Sequence, residues 1–365
     1  MYTGNQVRVL WAGLASDYFA VRNGVKQGGV ISPILFCIYI DDLLKRLSLS
    51  GVGCNIGTSF VGALAYADDI VLIAPTPNAT RKLLAVCDDF AAQYDIVFNA
   101  EKSKFLVVIS HNRRFMSNDM RTCKLYINGK LIENVNHYSH LGHIINSDFT
   151  DDEDIILRRN SFVGQVNNLL CFFNKQDILI KLKLFQSYCS SFYGCELWSL
   201  NNRTIDDVCI AWRKALRRVG LLNLPHNSHS YLLPIISCSL PFFDEIIKRS
   251  SRFITSCLCS TSRLVQSVSR YSILYGKHGS VLGRNALMCC KRYNWSVDSF
   301  LLNSIPLTNT LFTRWYRASL TDLELNSAIS LLEVIFIREG HFTLPEFFDL
   351  SHAQLTDIID AYATL

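Results

Sequence analysis

Charged side chains make up only 18% of this 365-residue chain, and its mean hydropathy is slightly positive at +0.18. A chain so poor in charge buries enough apolar surface to offset its conformational entropy, so long intrinsic disorder is not expected. Long apolar runs are missing as well. The densest, ILFCIYI from Ile34 to Ile40, falls well short of the about 20 residues that a membrane helix needs. The N-terminal MYTGNQVRVLW has no basic segment leading into an apolar one, so it does not read as a secretory signal. A protein that is not secreted is expected. The thirteen cysteines are odd in number, scattered, and contain no C-x-x-C pair. Cys37, Cys87, Cys171 and Cys189 sit inside apolar stretches, and the set reads as small buried hydrophobes in a reducing compartment, not as disulfides or zinc ligands. No internal repeat or low-complexity tract is present.

What is there is patterned. QVRVLWA and DYFAVRNGV, separated by GLAS, predict a hairpin rich in β-branched and aromatic residues. GVKQGG, from Gly24 to Gly29, breaks regular structure. Ser32 and Pro33 then predict a helix N-cap and first-turn proline, opening a helix to about Leu47 whose near all-round apolar surface implies deep packing. FVGALAYADDIVLIAP reads as strand, tight turn, strand. Asn78 is expected to cap a second helix, with Leu83, Leu84, Cys87, Phe90, Ala91 and Tyr94 at helical spacing. KFLVVIS predicts another strand, and CKLYINGKLIENV a hairpin with Asn128-Gly129 in a type I′ turn. HLGHIIN adds one short strand. TDDEDIILRR starts an acid-rich helix, and helical patterns run from there to SHAQLTDIIDAYATL, with Ser351 as a cap. The texture changes from mixed to mostly helical near residue 148.

The acids of the third segment conflict with their surroundings. Asp68 and Asp69 interrupt an apolar run, and adjacent carboxylates in a low-dielectric strand repel and resist ionisation. At a hairpin tip the conflict disappears: the strands keep their apolar faces buried while the carboxylates leave the sheet. Two hard oxygen ligands so held suit Mg²⁺ or Mn²⁺, which also removes the like-charge penalty. Alone, the pair is equally readable as an ordinary Asp-rich turn. A second pair, Asp41 and Asp42, falls in the late turns of the first helix and reads as a solvated or capping feature.

Four ordered blocks alter the balance: GVKQGGVISPILFCIYIDDL, YADD between apolar strands, FNAEKSKFLVV, and HLGHII. In this order they resemble the reverse transcriptases of non-LTR, LINE-type retrotransposons, and LKLFQSYCSSFYGCELW (Leu182 to Trp198) resembles that family's thumb region. The resemblance implies an α+β fold: a partial polymerase palm, with an antiparallel sheet plus helices, followed by a mostly helical thumb and C-terminal region. The corresponding domains are 1–148 for fingers and palm, 149–225 for the thumb, and 226–365 for a helical C-terminal region. It implies RNA-directed DNA polymerase activity, with an RNA template, a DNA primer and deoxynucleoside triphosphates as partners, no membrane, and Mg²⁺ or Mn²⁺ as cofactor. By position, Asp68 and Asp69 match the catalytic metal-binding motif, Tyr66, Gln27 and Gly28 the nucleotide and template side, and Leu141 and Gly142 the primer grip. His140 stands where the family usually shows Tyr. Lys102 matches the basic residue after the hairpin, as proton donor or phosphate contact; it also reads as a plain surface lysine beside Glu101 and Lys104.

The family needs a further aspartate on a strand upstream of GVKQG, yet only 23 residues precede Gly24 and Asp17 is the sole acid among them. The expectation is therefore a chain that starts after that motif, as a truncated element, with impaired catalysis. Nucleic acid is also suggested by WRKALRRVG, which sets Arg213, Lys214, Arg217 and Arg218 on one side of a helix. Arg158, Arg159, Lys181 and Lys183 extend the basic set. A solvated helix face is the competing reading. With a net charge of +5 the chain permits a polyanionic partner without demanding one. Two rivals to the polymerase stand: a non-catalytic nucleic-acid-binding remnant, and a decayed product with no stable fold.

Overall fold

The computed structural model describes residues 6–21, 24, 28–108, 123–220, 233–234, 239–276, 279–305 and 307–321. The chain divides into two compact units, Met1–Tyr138 and Ser139–Leu365. The expected cap Ser351 and the terminal helix lie outside the described residues.

The first unit is mixed. Strands β1 (Gln6–Val7), β2 (Leu10–Trp11), β3 (Leu14–Ala15) and β4 (Phe19–Ala20) form the expected hairpin, β1 pairing with β4 and β2 with β3. Its turn is Ala12-Gly13, both at positive φ, and so lies just ahead of the expected position. Helix α1 spans Ser32–Leu49. Ser32 is not its cap: Ile31 holds that place without a side-chain bond, and Ser32 is buried in the first turn, its N–H on the Gly29 carbonyl. Deep packing holds only for the second half, where Ile40, Leu43 and Leu47 are buried. Ile34 and Ile38 remain 60% and 67% exposed, because no described element covers that face.

Strands β5 (Asn55–Ile56) and β6 (Ser59–Phe60) lead into β7 (Ala63–Tyr66) and β8 (Asp69–Leu72). Helix α2 (Pro77–Tyr94) is capped by Thr76, whose hydroxyl accepts from the Ala79 N–H, and not by Asn78. Pro77 takes the first helical position, which needs no donor, and this sets the cap at Thr76, two residues earlier than expected. The predicted stripe of α2 is buried from Leu83 to Ala91 and closes with α1 around Leu43, Leu47 and Phe90. Asp41 and Asp42 behave as surface acids: they pair with Lys45 and Arg46, and Asp42 also accepts from the Tyr94 hydroxyl at 2.9 Å.

Beyond α2, β10 (Tyr126–Ile127) and β11 (Lys130–Leu131) flank Asn128-Gly129, both at positive φ as a type I′ turn requires. Strand β9 (Lys104–Phe105) pairs in parallel with β12 (Glu133–Asn134). The antiparallel sheet expected of this region is thus, among the described residues, a set of two-stranded pairs with one parallel member.

The second unit opens within the hairpin of β13 (His137–His140) and β14 (His143–Asn146). The division precedes the change of texture near residue 148 because β14 packs on the next helix, α3 (Asp152–Phe173). Helix α4 (Ile178–Leu184) runs into a π-helical turn, Phe185–Cys189, and a 3₁₀ turn follows at Cys195–Leu197. Then come α5 (Thr204–Val219), α6 (Phe242–Leu258), α7 (Arg263–Leu274), α8 (Val281–Tyr293), α9 (Val297–Leu301) and α10 (Asn309–Ala318). One apolar core joins them, with Trp198 and Phe312 wholly buried. The cysteines divide: Cys87, Cys189, Cys195, Cys289 and Cys290 are buried, whereas Cys37, Cys171 and Cys259 are exposed, and none of the described set is bridged. No helix among the described residues is long and apolar enough to cross a membrane.

Candidate active site and nucleic-acid interface

The β7–β8 hairpin pairs Ala63 with Leu72, Leu64 with Val71, Ala65 with Ile70 and Tyr66 with Asp69. Directly paired residues share a face. Ala63, Ile70 and Leu72 pack on the α1–α2 core, while Leu64, Tyr66 and Asp69 are exposed. Ala67 and Asp68 form the loop, with Ala67 at φ +52°. The root is fastened by Ile73 N–H to the Gly62 carbonyl (2.8 Å) and Cys54 N–H to the Ile73 carbonyl (3.0 Å). Local sequence thus resolves its conflict as expected: apolar strands anchor the ribbon, and both carboxylates stand in solvent at its tip.

Lys102 is exposed in the turn after Asn99, whose side-chain oxygen accepts from the Glu101 and Lys102 N–H groups. Lys104, by contrast, is committed to Glu133 at 2.7 Å. Gly28 has φ +78° and open space where a Cβ would stand, which suits close approach of a ligand backbone. Gln27 lies outside the described residues. As hard oxygen donors, Asp68 and Asp69 fit part of a divalent-cation shell. Among the described residues, however, no group of three or more His, Cys, Asp or Glu side chains forms a metal site.

In the second unit, Leu141 and Gly142 make the tip of β13–β14, at φ +48° and +78°. Two side chains hold it. The Tyr193 hydroxyl donates to the Leu141 carbonyl at 3.2 Å, and the Arg158 guanidinium donates to the Gly142 carbonyl while lying 5.5 Å over the Tyr193 ring. Beneath them Asp154, wholly buried, accepts from Trp198 Nε1 (2.8 Å) and the Ile144 N–H (3.2 Å), with His143 Nδ1 also at 3.2 Å. Burial alone would raise the Asp154 pKa; the donors from His143, Trp198 and Ile144 outweigh it and hold the carboxyl below its ordinary value. Asp151 and Asp152 extend this anchorage: Asp151 accepts from the Ser199 N–H, and Asp152 from Asn202 and Thr204. The acids that read as a helix start therefore clamp residues 198–204.

Sequence reasoning misses this clamp. Its one local signal is the Asp154/Arg158 spacing of one helical turn, and Arg158 reads there as part of the basic set instead. Lys181 leaves that set too, since it is buried. On α5, Lys214 and Arg218 are exposed, Arg218 donating to Asn167 at 2.9 Å, while Arg213 and Arg217 are half-buried.

Residues 7–145 match the family described as reverse transcriptase (RNA-dependent DNA polymerase). The match covers less than half of the chain and is what this segment is similar to. Its relatives are of the non-LTR retrotransposon kind. The chain is 38% identical over 101 residues to the Retrovirus-related Pol polyprotein from type-2 retrotransposable element R2DM of Drosophila melanogaster, covering 28% of this chain and 10% of that protein. To the RNA-directed DNA polymerase from mobile element jockey of Drosophila funebris it is 24% identical over 232 residues, 60% of this chain and 24% of that one. A Popillia japonica R2 polyprotein is 38% identical over 84 residues, 23% of this chain and 12% of its own. The matched segments thus span between a tenth and a quarter of these relatives' lengths. The reverse-transcriptase segment contains the β7–β8 hairpin, Lys102 and the Leu141-Gly142 turn; α5 lies beyond it.

Proposed function

We propose that the chain is the polymerase-bearing part of a non-LTR retrotransposon reverse transcriptase, extending a primer 3′-OH on an RNA template with deoxynucleoside triphosphates. The observation that carries this reading is the tip of β7–β8: two solvent-facing carboxylates on an anchored ribbon, within the segment that matches the family. In this reading residues 1–148 serve as fingers and palm, 149–225 as thumb, and 226–365 as a helical C-terminal region.

Asp68 and Asp69 would hold Mg²⁺ or Mn²⁺, which supplies activation of the primer hydroxyl and neutralises charge on the leaving pyrophosphate in two-metal phosphoryl transfer. Tyr66, paired with Asp69 and 67% exposed, flanks the nucleotide together with Gln27 and Gly28. Lys102 reaches phosphate or protonates the leaving group. Leu141 and Gly142 hold the primer strand, kept in shape by Arg158, Tyr193 and Asp154. Lys214 and Arg218 track the duplex backbone, with Arg213 and Arg217 at the edge of the same face.

A second reading is favoured by the donor set. Two adjacent carboxylates at one hairpin tip fix a cation weakly, and no third ligand joins them among the described residues. Catalysis by this chain is then impaired, and what persists is binding of nucleic acid. Primer extension on an RNA template with Mg²⁺, comparing the chain with Asp68→Asn, separates the two. The polymerase reading expects extension by the unaltered chain and a loss of at least about a hundredfold in the variant, since metal-borne charge stabilisation is worth several kcal/mol. Absence of extension from both, with template–primer binding indifferent to the substitution and to Mg²⁺, would leave the binding protein.

A further inference from the structure

From Ile246 to Val297 the chain contains no Asp or Glu, against nine Lys and Arg. Several of these cations are committed. Lys248 and Arg249 pair with Glu245, Arg292 pairs with Asp244, and Arg252 donates to the Leu307 carbonyl. Arg263 and Arg270 on α7 are different: both are exposed, and neither makes an ion pair among the described residues.

The setting of α7 fixes which face is open. Ser269 and Ile273 are buried, and Ser272 lies so near α8 that a Cβ on Gly283 would stand 2.3 Å from its carbonyl oxygen. At about 100° per residue these three occupy one side of the helix. Arg263, Ser267, Arg270, Tyr271 and Leu274 fall away from it, all exposed. Tyr271 is 64% and Tyr275 74% exposed, with ring centroids 5.3 Å apart and planes tilted by 39°. Two tyrosine rings left in water beside two uncommitted guanidiniums, on a helix without acids, gain little from packing, because so much of each ring faces solvent.

We propose that this face of α7 is a binding site for single-stranded nucleic acid, separate from the basic face of α5. Arg263 and Arg270 take phosphates, and the Tyr271 and Tyr275 rings stack on unpaired bases. The aromatic part selects single strands: a base already stacked within a duplex offers no free face to a side-chain ring, whereas an unpaired base of any identity does. The absence of acids over the surrounding stretch removes the repulsion that would otherwise oppose a polyanion.

The test is fluorescence anisotropy of the full chain with three labelled probes: a short uridine RNA, its thymidine DNA counterpart and a blunt duplex. Tyr271→Ala and Tyr275→Ala should each weaken both single-stranded probes by about tenfold or more and leave the duplex unchanged. Arg263→Gln with Arg270→Gln should flatten the salt dependence of single-strand binding by about 1.4 in logarithmic slope, about 0.7 for each phosphate left without its guanidinium. The exposure of all four side chains keeps these variants folded, which circular dichroism verifies. Loss on RNA alone would assign the site to RNA, and loss on both to single strands in general. Single-strand affinity and slope unchanged in both variants would overturn the proposal. So would a change in sedimentation without a change in binding, which would make the face a contact between copies of this chain. A failed primer-extension assay leaves this outcome untouched, since no probe here reports on Asp68.

Discussion

Asp154 illustrates how one side chain can carry an entire corner of a fold. Its two oxygens accept from an indole and a backbone amide, an imidazole nitrogen lies 3.2 Å away, and its neighbour one turn on, Arg158, holds the tip of the adjoining hairpin. A carboxylate held below its ordinary pKa stabilises the folded state above the unfolded value of 3.8, and that contribution is lost as the pH falls through the lower folded value. Acid unfolding of Ser139–Leu365 should therefore include a step in that range. Asp154→Asn should remove that step and cost about 1–3 kcal/mol at neutral pH, because an amide nitrogen meets donors where a carboxylate oxygen accepted them. Urea unfolding followed by the fluorescence of the buried Trp198, at neutral and at acid pH, reads both effects. Equal acid sensitivity in the two proteins would place the titrating group elsewhere.

At the scale of the element, α5 is a helix with two occupations. Its apolar stripe is sealed into the core through Ile205, Trp212 and Leu216, which leaves only the far side for a ligand. Removing Lys214 and Arg218 should weaken RNA–DNA duplex binding and flatten its salt slope by roughly 1.8, about 0.9 for each phosphate they neutralise. Titrations across salt concentrations with Lys214→Gln plus Arg218→Gln measure this; an unchanged slope would assign the face to solvent. Elements of this kind are legible in the sequence. The YADD hairpin, the Asn128-Gly129 turn and the stripe of α2 rest on periodicity and turn chemistry, which act within a few residues. Helix caps are less so, because Ser32 and Asn78 compete with neighbours one or two positions away. The Asp154 clamp is invisible for a stronger reason. Its partners Tyr193 and Trp198 are remote in sequence, and nothing local to Asp154 names them.

Considered as a whole molecule, the same limit reappears as exposure. The apolar run at the start of α1 predicts depth, and composition alone does not reveal that its partner is not among the described elements. In the first unit Trp11, Leu14, Val30, Ile34 and Ile38 are between 60% and 93% exposed, and the β2–β3 turn carries its large side chains outward. Side chains that pack on nothing contribute little to stability, so replacing them should alter the surface and not the fold. Trp11→Glu and Ile38→Glu, made together, are expected to change thermal stability by no more than about 0.5 kcal/mol per site. They should also lower the fluorescence of an apolar dye bound to the folded chain, because the dye reports water-facing apolar area. A marked drop in melting temperature would mean that these residues are covered in solution by something the described elements do not supply. Unaltered dye fluorescence would mean that the dye reads some other apolar surface, the groove of Leu169, Phe172 and Tyr188 in the second unit being the alternative.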